Sequence, residues 1–319
     1  MTPDRPQDQP LVLVAGAASR DLASADPRGW RLGGAVTYGS LTLARLGLRV
    51  RAAIGVDDEA ARANELDLLR AAGVEVHLVR LASGPVFENV ESAAGRRQRC
   101  ISTSDIVSLD GLPRHWIANL DGLFLGPVAG ELDSTWATVR APIVALGWQG
   151  LLRELHTGAD VSRRSPATGP LLSAASLVGA SRDDFGPSTS LASLTRLLGP
   201  GTTLAMTDGA TGGTIVRTGL DGRPRPARRY PAIPSDATVD PTGAGDVFLA
   251  ALLAKRLQRS SGNAERFAAA AASLVVEAPG LAGVPDLAAV RERMTRAPSR
   301  ARRRPSAVSS RASGRPSQA

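Results

Sequence analysis

The chain has 319 residues, 43% of them hydrophobic, with a formal net charge of +8 and a single cysteine. This length fits one large domain or two smaller ones, and the apolar content excludes a wholly disordered chain. The lone Cys100 excludes an internal disulfide framework and a cysteine-based zinc site, and the three scattered histidines share no metal-ligand spacing. No apolar run reaches the roughly 18 residues that span a bilayer, and the N-terminus lacks a secretory pattern, so we expect a cytoplasmic protein.

The positive charge is concentrated near the end of the chain. Six arginines and no acidic residue lie after residue 296, so about +2 of the +8 remains for residues 1–296. A composition rich in Ser, Pro and Arg without apolar periodicity predicts a disordered tail over 297–319. Only this basic tail is expected to contact nucleic acid, and a solvated extension is the simpler interpretation.

The body of the chain alternates short apolar runs with amphipathic segments. The run at 11–16 predicts a buried strand, and helical spacing follows over 35–48. The alternation continues with strands at 49–55, 74–81, 122–126, 142–147, 176–181, 202–209 and 212–218 and helices at 57–73, 244–258, 263–276 and 286–296. This rhythm predicts an α/β fold, with a mostly parallel central sheet flanked by helices on both faces.

One stretch breaks this alternation. Residues 85–102, "PVFENVESAAGRRQRCIS", predict two strands around an "AAG" turn with no helix between them. In an α/β chain such a hairpin is a candidate lid or oligomer contact. The charges at 96–99, "RRQR", are interpreted as protection of an exposed strand edge against association.

The strongest chemical signal is the string "DPTGAGD" over residues 240–246, which opens an apolar helix. Its glycines let backbone approach a ligand closely, and the free amides of the first helical turn form an anion site. A carboxylate there would repel a phosphate, but it suits a base that takes a proton from an attacking hydroxyl. The pattern therefore favours a phosphotransferase, in which residues 243–245 hold the transferring group and Asp246 activates the acceptor. A capping aspartate beside a glycine turn is the alternative.

Several motifs together resemble the ribokinase-like (PfkB-type) carbohydrate kinase family. "DPTGAGDVF" is similar to the C-terminal signature of that family, "GGAVTYGSLTLARLG" to its N-terminal Gly-Gly motif, and "TDGATGG" to its nucleotide-side loop. The resemblance extends over roughly residues 11–295. It implies a ribokinase-like three-layer sandwich within a kinase domain over 1–296, plus a small β lid with strands within about 20–34 and 82–104.

The resemblance also implies roles for individual residues. Asp246 matches the catalytic base of the family, and Gly243, Ala244 and Gly245 match the anion hole that stabilises the transferring phosphoryl group. The other matches are the substrate-side residues Asp21, Gly33, Gly34 and Tyr38 and the nucleotide-side residues Thr207, Gly209, Gly212 and Ser181. The chemistry of the family implies ATP with Mg²⁺, optionally a monovalent cation, and a sugar or polyol acceptor.

Two positions depart from the family pattern. Tyr38 stands where many of these sugar kinases have an asparagine that binds sugar hydroxyls, so we expect a different acceptor pocket; simple packing in the core is the alternative. The N-x-x-E motif, which organises Mg²⁺ in the family, is Ser181-Arg182-Asp183-Asp184 here. Asp184 would act on the metal indirectly and with a shorter reach, and the Ser181 hydroxyl could bond phosphate or water.

The leading hypothesis is therefore ATP-dependent phosphorylation of a hydroxyl on a small sugar or polyol. A nucleoside is the runner-up acceptor, and an inositol-like polyol is a further candidate because of Tyr38. The altered Ser181 and Asp184 pair leaves open a non-catalytic ligand-binding protein on a kinase scaffold. Lid strands in this family often pair between subunits, so a homodimer through the lid is a candidate assembly. No membrane partner is expected.

Overall fold

The structure is a computed structural model that describes residues 9–92, 95–259 and 262–296. The tail predicted over 297–319 and residues 93–94 in the turn of the predicted hairpin lie outside this range. None of the helices in the described range has the length and apolarity needed to cross a bilayer.

Strands and helices alternate along the described chain, as the sequence predicted. The strands, in chain order, are β1 (Leu11–Ala17), β2 (Ser19–Leu22), β3 (Trp30–Gly33), β4 (Arg49–Val56), β5 (Val74–Arg80), β6 (Val86–Ser92), β7 (Gly95–Ser102), β8 (Gly122–Leu125), β9 (Ile143–Gly147), β10 (Arg153–Glu154), β11 (Ala159–Asp160), β12 (Ser162–Arg163), β13 (Leu177–Ser181), β14 (Thr203–Thr207), β15 (Gly213–Arg217) and β16 (Arg228–Tyr230). The α-helices are α1 (Ala35–Arg45), α2 (Glu65–Ala71), α3 (Pro170–Ala174), α4 (Leu191–Thr195), α5 (Ala244–Leu257), α6 (Ala264–Val275) and α7 (Leu287–Arg296).

Nine of these strands form one large sheet in the order β16-β15-β14-β13-β9-β8-β1-β4-β5. Neighbouring strands from β14 to β5 run parallel, and only the β14–β15 and β15–β16 pairs are antiparallel. The predicted fold class is confirmed: a mostly parallel sheet with helices on both faces.

The central strand β1 shows why the sheet needs two covering layers. Its seven residues are all buried, and successive side chains of a strand point to opposite faces. Val12 and Val14 pack in one apolar cluster with residues of α1, α5 and α6. Leu13 and Ala15 pack on the other face, in the cluster that contains Trp136. A continuous apolar run such as this one is typical of a strand buried on both sides.

A second, five-stranded sheet has the order β11-β7-β6-β2-β3 and is called the small sheet below. Its β6–β7 pair is the antiparallel hairpin that the sequence predicted. Strand β2 joins β6 in parallel, with Asp21 opposite Phe87. A separate two-stranded ladder pairs β10 with β12. The sequence did not predict this ladder, because strands of two residues carry no periodicity.

The helix predicted over 57–73 is the main error. The structure has a 3₁₀ turn at Ala60–Arg62 and then α2, separated by extended backbone at Ala63. Asp57 accepts a hydrogen bond from the Ala60 amide at 2.8 Å and one from the Arg20 guanidinium at 2.9 Å. The acidic start of the segment therefore caps a short turn and holds the small sheet, instead of opening a long helix.

Candidate active site

Most of the residues that the sequence singled out lie at or near strand ends or in the first turn of α5, and Tyr38 lies in α1. Ser181 ends β13 and pairs in register with Thr207, which ends β14. Asp21 lies in β2, shortly after β1 ends at Ala17. The carboxyl ends of parallel strands meet at one edge of a sheet, and open α/β folds bind their ligands there. The predicted groups therefore belong to the edge where a ligand is expected.

The turn before α5 is packed tightly on one side and open on the other. Gly243 precedes the helix with φ +79°, a left-handed conformation that favours glycine. A Cβ on Gly243 would overlap the ring of Tyr38. A Cβ on Gly245 would meet no atom within 4 Å. The start of α5 is thus fixed against α1 while its Gly245 side faces open space.

Asp240 anchors this turn to the segment after α6. Its carboxylate accepts hydrogen bonds from the Thr242 amide at 2.9 Å and from the Gly280 amide at 3.1 Å. The Val239 and Asp240 amides both donate to the Val276 carbonyl. Burial would raise the pKa of Asp240, but the hydrogen bonds from Thr242 and Gly280 outweigh it and lower that pKa. Asp240 is therefore a structural carboxylate, a role the sequence analysis did not assign.

Asp246 lies in the first turn of α5 and is half-buried. Burial raises the pKa of its carboxyl from 3.8 to about 7. The positive charge of Arg153 opposes this rise, and the negative charges of Asp184 and Asp21 add to it. Desolvation disfavours the charged form of a carboxyl, so Asp246 can exchange a proton near neutral pH.

The two glycines before α1 pack against neighbouring protein groups. A Cβ on Gly33 would overlap the carboxylate of Asp21, and a Cβ on Gly34 would lie 2.6 Å from the carbonyl oxygen of Ala17. Gly34 has φ +96°, so other residues would also strain its backbone. The Ser19 hydroxyl donates to Asp21 at 3.2 Å. The glycines therefore let the start of α1 close onto Asp21 and the end of β1.

Tyr38 lies at the centre of these groups. It is 1% exposed and belongs to the apolar cluster between α1 and the sheet. Burial raises the pKa of its hydroxyl well above 10, and the charges of Asp240, Asp21 and Asp246 raise it further. The phenol of Tyr38 therefore stays protonated at neutral pH.

The Ser181 and Asp184 pair forms a capping box around a short 3₁₀ turn. The Asp183 amide donates to the Ser181 hydroxyl at 3.2 Å, and the Ser181 amide donates to Asp184 at 2.7 Å. The other oxygen of Asp184 accepts from the Gln149 side chain at 3.0 Å. Across the described ranges no group of three or more His, Cys, Asp or Glu side chains could hold a metal ion.

The predicted nucleotide-side residues form a tight turn between β14 and β15. The Thr207 hydroxyl donates to the Ala180 carbonyl at 3.4 Å, beside Ser181. The Asp208 amide donates to the Gly212 carbonyl at 2.8 Å and closes the turn. Gly212 has φ +98°, and a Cβ there would overlap the Tyr230 carbonyl, whereas Gly209 faces open space. The turn therefore borders the Ser181 side of the site.

Residues 176–287 match the sequence profile of the pfkB family carbohydrate kinases. This part of the chain is therefore similar to the pfkB family. It contains the capping box, the nucleotide-side turn and the "DPTGAGD" string, so the resemblance seen in the sequence is confirmed. No curated protein matches the sequence.

Solved structures of ribokinase-family kinases show the same fold. A pyrophosphate-dependent kinase in complex with a pyrophosphate analogue and myo-inositol has a TM-score of 0.65 and 18% identity, over 84% of this chain and 96% of its own. Arabidopsis thaliana ribokinase with ribose and ATP has a TM-score of 0.63 and 18% identity, over 90% of this chain and 99% of its own. The Methanocaldococcus jannaschii nucleoside kinase has a TM-score of 0.63 and 16% identity, over 90% of this chain and 98% of its own.

Three polar residues near this site were missed by sequence reasoning. Glu131 is 1% exposed, and its carboxylate accepts from the Ala17 amide at 2.8 Å and from the Ala129 amide at 2.8 Å. It thereby holds the end of β1 to the loop after β8, while burial raises its pKa. Gln149 and Arg153, around the start of β10, are the other two. Single polar residues in loops or in very short elements give no pattern from which such roles could be inferred.

Proposed function

We propose that this chain transfers a phosphoryl group from ATP to a hydroxyl group of a small sugar or polyol. The observation that carries the proposal is Asp246, a carboxyl with a pKa raised to about 7 in the first turn of α5. A general base works best when its pKa lies near the working pH. The match to the pfkB family supports the reaction class.

In the proposed mechanism, residues 243–245 bind the transferring phosphoryl group. The first amides of a helix lack partners within the helix, and its dipole is positive at that end, so the start of α5 attracts an anion. The oxygen of the acceptor hydroxyl bonds to phosphorus while the bond from phosphorus to the leaving oxygen of ATP breaks and ADP departs. The hydroxyl proton passes to the carboxylate of Asp246.

The acceptor is proposed to lie between Asp21 and Asp246, above Gly33 and Gly34. Asp21 would accept a hydrogen bond from a second hydroxyl and so orient the reacting one. Tyr38 is buried, and the charges of Asp21 and Asp246 act on its hydroxyl, so its ring would limit the depth of the proposed acceptor pocket. A ribose-like sugar, an inositol-like polyol and a nucleoside all present hydroxyl pairs of the required kind.

The donor is proposed to lie on the side of Ser181, Thr207, Gly209 and Gly212. Mg²⁺ on the donor phosphates would neutralise part of their charge, and Mg²⁺ usually keeps several waters when it binds phosphates. The oxygens of Asp184 accept hydrogen bonds from Ser181 and Gln149, so we expect Asp184 to reach the metal through water. Since one kinase of the same fold uses pyrophosphate, the donor has to be tested along with the acceptor.

The test is a panel of acceptors, with sugars, polyols and nucleosides, each assayed with Mg²⁺ and either ATP or pyrophosphate. The product is identified as a phosphate ester by ³¹P NMR. We expect turnover with one acceptor class. We also expect Asp246→Asn to lower kcat by about 10²–10⁴. Wild-type turnover by the Asp246→Asn variant would contradict the mechanism.

A non-catalytic ligand-binding protein is the second candidate. It is favoured by the Ser181 and Asp184 capping box, which uses both oxygens of Asp184 within the protein. This candidate predicts saturable binding of an acceptor from the panel, measured by calorimetry, and no phosphate ester with either donor. Formation of an ester above background eliminates it.

A further inference from the structure

The β10–β12 ladder brings two arginines together at the rim of the site. Arg153 in β10 lies directly opposite Arg163 in β12. Directly opposite residues share one face of a ladder, and like charges in this arrangement repel each other. The ladder therefore concentrates positive charge on one face.

The ladder is attached to the donor side of the site. Arg163 donates from Nε to the Asp183 carbonyl at 2.9 Å. Gln149, in the 3₁₀ turn just before β10, donates to Asp184 at 3.0 Å. The segment that carries Arg153 is therefore held to the capping box at the end of β13.

Arg153 itself reaches toward the acceptor side. Its guanidinium carbon lies 5.8 Å from the centroid of the Phe87 ring, and Phe87 is 2% exposed. Phe87 pairs directly with Asp21 across β6 and β2, so both side chains share one face of the small sheet. The charge of Arg153 also lowers the pKa of Asp246, against the effect of burial. Arg153 thus lies beside the face of the small sheet that carries Asp21, and its charge acts on Asp246.

Phosphoryl transfer adds negative charge to this acidic region. The charge spreads over the oxygens of the transferring group as it leaves the donor. A guanidinium offers several donors in a planar arrangement that matches phosphate oxygens, and it stays protonated throughout. Three carboxylates without a cation would repel such a group.

We propose that Arg153 is a further catalytic residue, which binds the phosphoryl group as it passes from donor to acceptor. This inference rests on the proposed kinase function. Arg153 forms no covalent bond in the reaction. It donates N–H hydrogen bonds to the phosphoryl oxygens opposite the amides of residues 243–245.

The test compares Arg153→Gln and Arg153→Lys with the control Arg164→Gln. Arg164 is exposed, and its hydrogen bond to Leu152 comes from the backbone amide, which the substitution keeps. We expect Arg153→Gln to lower kcat by about 10²–10³, as loss of one donor to a developing oxyanion does. Arg153→Lys should recover part of this loss because the positive charge is restored. The kcat of the control Arg164→Gln should stay within about twofold of wild type, since surface changes away from a site have small effects.

A pH profile separates this role from a structural one. Removing a positive charge near Asp246 raises the pKa of that carboxyl. The acid limb of kcat/KM against pH should therefore move upward by about 0.5–1 unit in Arg153→Gln. An unmoved limb would mean that the charge of Arg153 does not act on Asp246, which contradicts the proposed position.

Calorimetric binding of pyrophosphate alone requires no turnover, so it tests this inference independently of the proposed function. We expect Arg153→Gln to weaken pyrophosphate binding at least about tenfold, the loss expected of a charge-assisted hydrogen bond, while Asp246→Asn keeps or improves it. If this holds and no acceptor of the panel is phosphorylated, the kinase proposal fails and the anion site remains. Unchanged pyrophosphate affinity, or no binding by wild type at millimolar concentration, overturns the inference. A rise in acceptor KM alone, with kcat unchanged, also overturns it and moves Arg153 to the acceptor pocket.

Discussion

The substitution Asp246→Asn is expected to stabilise the protein while it removes activity. The carboxyl is half-buried, and burial raises its pKa from 3.8 to about 7 in the folded protein. In the unfolded chain the same carboxyl is solvated and has its ordinary pKa. Asparagine has nearly the same shape but carries no charge, so the substitution removes the cost of burying an ionised group.

The sign of the effect follows from proton binding in the two states. Between pH 4 and pH 7 the folded protein keeps the Asp246 proton that the unfolded chain loses, so wild-type stability falls as the pH rises through this range. Below pH 4 both states are protonated, and the variant should match wild type. The shift of about 3 units sets a ceiling of about 4 kcal/mol at about 1.4 kcal/mol per unit. Since the carboxyl retains contact with solvent, we expect about 1–3 kcal/mol at pH 8.

Urea unfolding at pH 4, 6 and 8 measures this difference for wild type and Asp246→Asn. The control is Asp110→Asn, which removes an exposed carboxylate and should change the free energy of unfolding by less than about 0.5 kcal/mol at any of the three pH values. The same proteins are assayed for turnover. Wild-type kcat/KM should fall about tenfold per pH unit below about pH 7, because only the ionised carboxylate accepts the proton.

The reasoning is refuted if Asp246→Asn is less stable than wild type at pH 8. It is also refuted if the difference in unfolding free energy does not grow between pH 4 and pH 7. Either result would mean that the Asp246 carboxyl is solvated and has an ordinary pKa, and the proposed base would lose its physical support.

Other substitutions test the packing around the site. Gly243→Ala should lower the free energy of unfolding by about 2–4 kcal/mol and abolish turnover, because φ is +79° and a Cβ would overlap the Tyr38 ring. At Gly245 the added methyl group would face open space. Gly245→Ala should therefore unfold like wild type in a thermal scan of both variants. Glu131→Gln should lower the free energy of unfolding in urea by about 1–3 kcal/mol, because the NH₂ group of the glutamine would face a backbone N–H where a carboxylate oxygen now accepts. An unchanged free energy of unfolding would contradict the hydrogen bonds described for Glu131. Arg293→Met should lower the free energy of unfolding by about 3–5 kcal/mol, since the buried guanidinium binds Ser273 and Glu277. An unchanged melting temperature would exclude a stabilising role for Arg293.

The large sheet could be predicted because each strand leaves a local signal. Runs such as "LVLVAG" are apolar throughout because both faces are covered, and Gly47 and Gly73 mark the ends of helical segments with positive φ. The "DPTGAGD" string was informative for a similar reason. Its two glycines and two carboxylates lie within seven residues, so the pattern is visible without knowledge of the fold.

Features that depend on distant contacts could not be predicted. Asp57 was read as the start of a helix, but its partner Arg20 lies 37 residues away in the chain. The motif predicts a metal-side role for Asp184, but no residue pattern indicates that Gln149 binds its carboxylate. The position of Arg153 depends on a ladder of two-residue strands and on Phe87, 66 positions earlier. Only the folded chain brings these groups together.

A crystal structure with a non-hydrolysable donor and the acceptor from the panel tests the central proposal most directly. We expect the carboxylate of Asp246 about 2.6–3.2 Å from the reacting hydroxyl oxygen, the distance required of a general base. The amides of residues 243–245 should point at the terminal phosphoryl group. A terminal phosphoryl group bound away from the first turn of α5, or an acceptor hydroxyl out of reach of Asp246, would contradict the account.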